Sequence, residues 1–393
     1  MRFSGCFIAL LSLFLSVGGL GVAGVPAVGK GGDQPSPDDL PPELPESAPA
    51  IRCPTVPKGD EGSITSVAFS PDNRAVIAGN VRGKIRWFDP ATGRPPASRQ
   101  SFPRWYGGAC RSLALSPNGR SLLVSTAQNE LSLVDVDSGS PRLKLEEIPP
   151  SKRIFFDATA FSPDGQVVAA SLGNDGIALW DFATGRLRVI LPPYIVPEQR
   201  IANPFPQTKL AYPAHVNSLA FTPDGKSLLS ACGLVQTWDV AIGRELGRLD
   251  NPFQASGCGL ALSPDGRTLA VRQTFWDDLR PGRAGRIDLW DRSSGKKLTR
   301  LPTQGHVADL IFMPDGKGLV SLEDDRIVRL WDVATAKQRA AVRFDHHNHL
   351  ARLAVSPDGK RIAVGGHESD PIFGIIQLLD TDGTTLQPWK PEP

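Results

Sequence analysis

The sequence lacks an excess of charge of either sign: 43 Lys and Arg stand against 41 Asp and Glu in 393 residues. That balance excludes the polybasic footprint of a nucleic-acid binder, and no acidic tail is present. Also missing are the short motifs of catalysis and metal binding, with no CxxC, CxxCH, HExxH, GxSxG or glycine-rich phosphate loop. Beyond residue 28 no segment approaches eighteen consecutive apolar residues, so the body of the chain is expected to be soluble, with no membrane span. Charged residues make up only 21%, against 40% apolar, which excludes wholesale disorder.

What is abundant is Gly (39) and Pro (36). Both disfavour long helices and favour short strands joined by tight turns. The N-terminus reads as an export signal: a positive start at Met1-Arg2, an apolar run from Phe7 to Leu15, and small residues up to Val25-Pro26-Ala27. Residues 1–27 are expected to be a cleaved signal peptide, which puts the protein in the periplasm or outside the cell. The alternative is an uncleaved anchor over Phe7–Val28. Cys6 precedes the apolar run and so is no lipoprotein acceptor. Eight prolines between Pro35 and Pro57, interleaved with Asp38, Asp39, Glu43 and Glu46, make residues 28–50 a stiff, disordered linker.

Residues 51–390 are built from seven repeats. A turn recurs as Ser70-Pro71-Asp72-Asn73, Ser116-Pro117-Asn118-Gly119, Ser162-Pro163-Asp164-Gly165, Thr222-Pro223-Asp224-Gly225, Ser263-Pro264-Asp265-Gly266, Met313-Pro314-Asp315-Gly316 and Ser356-Pro357-Asp358-Gly359. Pro fixes φ at the second position, Asp bonds the backbone, and Gly or Asn accepts a positive φ. Three residues before each proline stands Ala68, Ala114, Ala160, Ala220, Ala261, Ile311 or Ala354, followed by a larger apolar residue. This pattern predicts a strand buried on both faces and closely approached on one. A later strand ends in Asp89, Asp135, Asp181, Asp239, Asp291, Asp332 or Asp380, preceded directly by Trp180, Trp238, Trp290 or Trp331 in four copies.

These columns resemble WD40 repeats over roughly residues 50–388. The resemblance implies a seven-bladed β-propeller of four-stranded antiparallel blades, here an exported, bacterial-type member. It also has gaps. The family's Gly-His is matched in position only by Gly59-Asp60, while Gly305-His306 and Ala214-His215 lie about three residues too close to the turn. The Asp expected seven residues before the strand-end acid is clear only at Asp325. The buried His–Asp network is therefore not carried over, and the blades are expected to rest on packing more than on that network. Residues 51–56 are expected to supply the outer strand of the last blade, with Thr384–Trp389 as the alternative.

Few residues suggest chemistry. Cys110 aligns with Val216 and Val307, which makes it a core residue. Cys232 and Cys258 fall near one end of the propeller and are expected as buried thiols, with a disulfide as the alternative in an oxidising compartment. Asp345-His346-His347-Asn348-His349, with His367, Glu368 and Asp370 in the same blade, is the densest cluster of ligand types. It is expected to be a solvated loop rather than a metal site. Asp135-Val136-Asp137-Ser138-Gly139 is expected to be a turn, not a Ca²⁺ loop.

The insertions Gln100–Ala109, Leu191–Pro213, Gln273–Gly285 and Gly366–Gly374 all emerge on one face by strand order. They carry Phe102, Trp105, Tyr106, Tyr194, Phe205, Trp276, Arg280 and Phe373, and aromatics with Arg suit protein recognition. The expectation is a monomeric, non-enzymatic protein-binding scaffold without cofactor, anchored to its partner by Trp105, Tyr106, Trp276 and Arg280. Alternatives are a propeller hydrolase or lyase acting at that face, or a metal-binding propeller using residues 345–349.

Overall fold

The computed structural model describes residues 62–96, 108–148, 156–194, 215–249, 257–276, 283–303, 305–323, 326–344, 348–369 and 372–389. The fold is a seven-bladed β-propeller of antiparallel blades, each contiguous in sequence. Blade 1 contributes β1 (Ile64–Phe69), β2 (Val76–Asn80) and β3 (Ile85–Phe88). Blade 2 is β4 (Cys110–Leu115), β5 (Ser121–Thr126), β6 (Leu131–Asp135) and β7 (Pro141–Leu143). Blade 3 is β8 (Thr159–Phe161), β9 (Val167–Ser171), β10 (Ile177–Asp181) and β11 (Leu187–Leu191). Blade 4 is β12 (Ser218–Phe221), β13 (Ser227–Ala231), β14 (Val235–Asp239) and β15 (Glu245–Leu249). Blade 5 is β16 (Gly257–Leu262), β17 (Thr268–Trp276), β18 (Arg283–Asp291) and β19 (Lys297–Leu301). Blade 6 is β20 (Val307–Phe312), β21 (Gly318–Glu323), β22 (Ile327–Asp332) and β23 (Gln338–Arg343). Blade 7 is β24 (Asn348–Val355), β25 (Arg361–Ser369), β26 (Ile372–Thr381) and β27 (Leu386–Pro388).

The first strand of every blade lines the ring and touches the first strands on either side, β1 meeting both β4 and β24. The recurring turns behave as the sequence predicts. Ser263 Oγ donates to Asp265 Oδ1 at 2.6 Å, and Asp265 Oδ1 also accepts the Arg267 backbone N–H at 3.0 Å. Six of these turns place a glycine at positive φ, between 68° and 72°. Asp135 Oδ1 accepts from the Ser138 backbone and hydroxyl, both at 2.9 Å, as the turn reading of residues 135–139 expects.

The ring closes by side-chain packing. Val67, Phe69 and Phe88 of blade 1 join Ala363, Ile376 and Leu378 of blade 7 in one buried cluster, with Trp389 among them. The outer edge of blade 7 is filled by β27, which pairs with β26 from Leu379–Pro388 to Thr381–Leu386. This corrects the expectation that residues 51–56 complete that blade. Asp382 Oδ1 captures the Thr384 and Thr385 backbone N–H groups at 2.8 and 2.7 Å, and Gly383 at φ 84° turns the chain straight back along β26.

Packing is not the whole account of the blades. In blade 6 Trp331 Nε1 donates to Ser321 Oγ at 2.9 Å, and Ser321 donates to Glu323 at 2.8 Å. Glu323 in turn pairs with the fully buried Arg329 at 3.1 Å, and Arg329 donates to Gln338. Blade 4 repeats the start of this chain, with Trp238 Nε1 on Ser230 Oγ at 2.9 Å. Blade 5 buries Asp288 among Arg286, Lys297 and Arg300. In these three blades polar contacts are therefore present, built from Trp, Ser, Glu, Gln and Arg in blades 4 and 6 and from Asp, Arg and Lys in blade 5.

Candidate interaction face

Two hairpins are lengthened on the face opposite the Pro-Asp-Gly turns. In blade 5 the β17–β18 ladder continues past Ile287 through Gln273–Arg286, Thr274–Gly285, Phe275–Ala284 and Trp276–Arg283. In blade 7 the β25–β26 ladder continues past Ile376 through Gly366–Ile375, His367–Gly374, Glu368–Phe373 and Ser369–Ile372. At about 3.3 Å per residue, each ribbon adds roughly 13 Å of paired backbone. The insertions expected in blades 5 and 7 are thus β-ribbons flanking blade 6.

A glycine roots each ribbon. A Cβ on Gly285 would lie 2.6 Å from Gly305 O and from Val307 N, and one on Gly374 would lie 2.5 Å from Gly62 O. Each ribbon base is thus pressed against the backbone leading into the next blade. The sequence carries this signal: a glycine two residues before Ile287 and before Ile376.

Charged side chains ring the channel near the same face, where the first strands begin. Arg111 of blade 2 pairs with Asp157 leading into blade 3, whose Oδ2 lies 3.1 Å from His215 Nε2 leading into blade 4. Arg272 of β17 passes over Gly259, where a Cβ would sit 2.4 Å from Arg272 Nε, and donates to Val307 O at 3.3 Å. Burial lowers the Arg272 pKa, opposed by the charge of Asp309 on blade 6. Asp309 Oδ2 accepts the Leu353 backbone N–H of blade 7 at 2.9 Å. At the seam His367 Nδ1 lies 3.0 Å from Ser63 Oγ, and the His367 and His349 rings stack with centroids 5.0 Å apart. Sequence reasoning missed these charges: Arg111 and Asp157 share one place, six residues before the turn proline, but Thr65, Asn217, Cys258, Ala308 and Ala351 fill it in the other blades, and Arg272 and Asp309 stand at other places in their repeats.

Of the residues expected to anchor a partner, Trp276 is the last paired residue of β17. Trp105, Tyr106 and Arg280 lie outside the described residues, as do Asp345, His346, His347 and Asp370. Among the described residues no group of three or more His, Cys, Asp or Glu is placed to hold a metal ion. Tyr194 tethers its own segment: it packs on the core between blades 3 and 4, with the Arg248 guanidinium 5.8 Å from its ring centroid. Cys110, Cys232 and Cys258 are buried free thiols, and burial pushes them up to about 12, 12 and 11. At those values they are unreactive near neutrality. Elsewhere, the short β7 leaves an apolar groove of about 950 Å³ between blades 2 and 3, lined in part by Leu131, Leu145, Phe156 and Trp180.

The profile of the WD domain, G-beta repeat family matches residues 51–89, 206–239 and 295–332. Each match ends on the strand-end acid of a blade: Asp89, Asp239 or Asp332. The chain carries WD40 repeats. Its WD40 region is similar to telomerase protein component 1 of Mus musculus, 27% identical over 164 residues, covering 40% of this chain and 6% of that protein. WD repeat and SOCS box-containing protein 1 of Homo sapiens is 37% identical over 84 residues, 21% of this chain and 20% of the relative. WD repeat-containing protein WDS homolog of Arabidopsis thaliana is 27% identical over 190 residues, 45% of this chain and 32% of the relative. The chain therefore spans at most about a third of these curated relatives' length. All three are eukaryotic, which lends no support to a bacterial-type WD40 protein.

Proposed function

We propose that this WD40 propeller is a non-enzymatic protein-binding scaffold whose partner seats on the ribbon-bearing face. The observation that carries this reading is the pair of added ribbons on blades 5 and 7, each four residue pairs long. The ribbons meet the next blade at their roots, and their added length extends the surface a partner meets. WD-repeat relatives support the same reading.

The anchors are Trp105, Tyr106, Trp276 and Arg280, and the protein acts after export, with residues 1–27 removed. Among the described residues no helix is long and apolar enough to cross a membrane. A pull-down with the full chain from the exported fraction of the native cell identifies the partner. Trp105→Ala and Trp276→Ala then each weaken binding by about 2 kcal/mol or more with the melting transition nearly unchanged. Normal binding by both variants, with loss on substituting Lys226 or Lys317 in the opposite turns, overturns the assignment of faces. Mass spectrometry that finds an intact Met1 end in the cytoplasm overturns export.

A further inference from the structure

The four tryptophans that precede the strand-end acids solve one problem differently. Each brings an indole N–H to the edge of a blade core, where an unpaired donor is costly. Trp238 and Trp331 give theirs to Ser230 and Ser321 on the neighbouring strand, both at 2.9 Å. Trp180 gives its N–H to the Glu146 carbonyl at 3.0 Å. In blade 5 the position of those serines, seven residues after the turn proline, is Val271. Trp290 Nε1 is buried and has no acceptor among the described residues.

A second donor meets it. Gln273 is fully buried; its Oε1 accepts from Arg286 Nε at 2.7 Å, which fixes the amide orientation and leaves Nε2 without a protein acceptor among the described residues. Trp290 and Gln273 both line a cavity of about 10 Å³ between blades 4 and 5, together with Leu249, Cys258 and Val271. That volume is about one water's worth, and a water oxygen accepts two hydrogen bonds. The cavity walls are otherwise apolar except for the Cys258 thiol, a soft acceptor suited to a water proton.

We propose that blade 5 holds one structural water between Trp290 Nε1 and Gln273 Nε2, taking the place of the serine hydroxyl of blades 4 and 6. Gln273 is the first rung of the blade 5 ribbon. The water therefore joins the root of that ribbon to the blade core, while Gln273 Oε1 holds the facing strand through Arg286. A monoatomic anion is a poorer occupant, because Asp288 lies 3.4 Å from Arg286 and already meets its charge.

The test is a crystal structure of the full chain at a resolution that places ordered water, with Val271→Ser alongside. The expected result is a density peak at about 2.8–3.2 Å from both nitrogens in the wild type. In Val271→Ser that peak is lost and the new hydroxyl accepts from Trp290 Nε1. A wild-type map without the peak, or with either nitrogen bonded to a protein oxygen, overturns the proposal. So does a peak whose distances and anomalous signal identify chloride. The wild-type map decides alone if the variant fails to fold.

Discussion

Asn73 Oδ1 accepts the backbone N–H of Asp358 at 3.2 Å, joining residues 285 positions apart across the seam of the ring. The other six turns reach the preceding blade through a glycine: a Cβ on Gly119 would lie 3.2 Å from Pro71 Cδ, and one on Gly266 would lie 2.9 Å from Pro223 Cδ. Asn73 holds the same left-handed conformation at φ 60° but adds a side-chain bond. Asn73→Ala combines left-handed strain with loss of that bond and is expected to cost about 1–3 kcal/mol. Asn73→Gly loses only the bond and costs roughly 1 kcal/mol or less. Urea unfolding of the two variants separates these contributions.

The buried pair of blade 6 gives a sharper expectation. Arg329 and Glu323 are each about 1% exposed and 3.1 Å apart. Arg329→Met removes the cation facing the buried Glu323 carboxylate, at a cost of about 3–5 kcal/mol. Replacing both, as Glu323→Gln with Arg329→Met, costs less than the single change. A double-mutant cycle on the melting transition checks the sign, and a double variant less stable than Arg329→Met would remove the electrostatic explanation.

Glycine substitutions test the ribbon roots. Gly285→Ala and Gly374→Ala press a methyl group against backbone atoms that cannot rotate away, at about 1–3 kcal/mol each. Gly247 on β15 has nothing within 4 Å of its Cβ position, so Gly247→Ala is expected to be neutral or slightly stabilising. Equal losses at all three positions in thermal melts would remove the close-approach account.

Acid stability follows from the strand-end carboxylates. Arg188 beside Asp181, the Ser294 hydroxyl beside Asp291, and Arg339 beside Asp332 lead in lowering these groups to about 2. Their unfolded value is near 3.9, so the folded state holds fewer protons between the two values. The stability they contribute is fully present above about pH 5 and is lost as pH falls towards 2. Melting temperatures should therefore change little from this source between pH 7 and 5 and drop below pH 4. Asp332→Asn should flatten part of that drop.

The propeller was legible because its signals are periodic. The Ala column, the Pro-Asp-Gly turns and the strand-end acids each recur at a fixed place in the repeat, and each maps to one strand or turn. The channel charges were not legible, because the place six residues before the turn proline is charged only at Arg111 and Asp157, His215 stands eight before its own proline, and the three meet only after the ring has formed. Arg272 was harder still, since its head reaches the next blade only over a neighbouring Gly259. The ribbons carry one signal in the sequence, the glycine two residues before Ile287 and Ile376, but their length shows there only as insertions.

Every described blade is an unbroken stretch of chain, and the last is finished by its own β27 rather than by a strand from the other end. Whole blades could therefore be duplicated or removed at one kind of junction without leaving a sheet half built, a route to propellers of other sizes. The same arrangement makes the boundary between blades 7 and 1 the one junction with no peptide connection between neighbours. Mechanical pulling on the termini should open the ring there before any blade loses a strand.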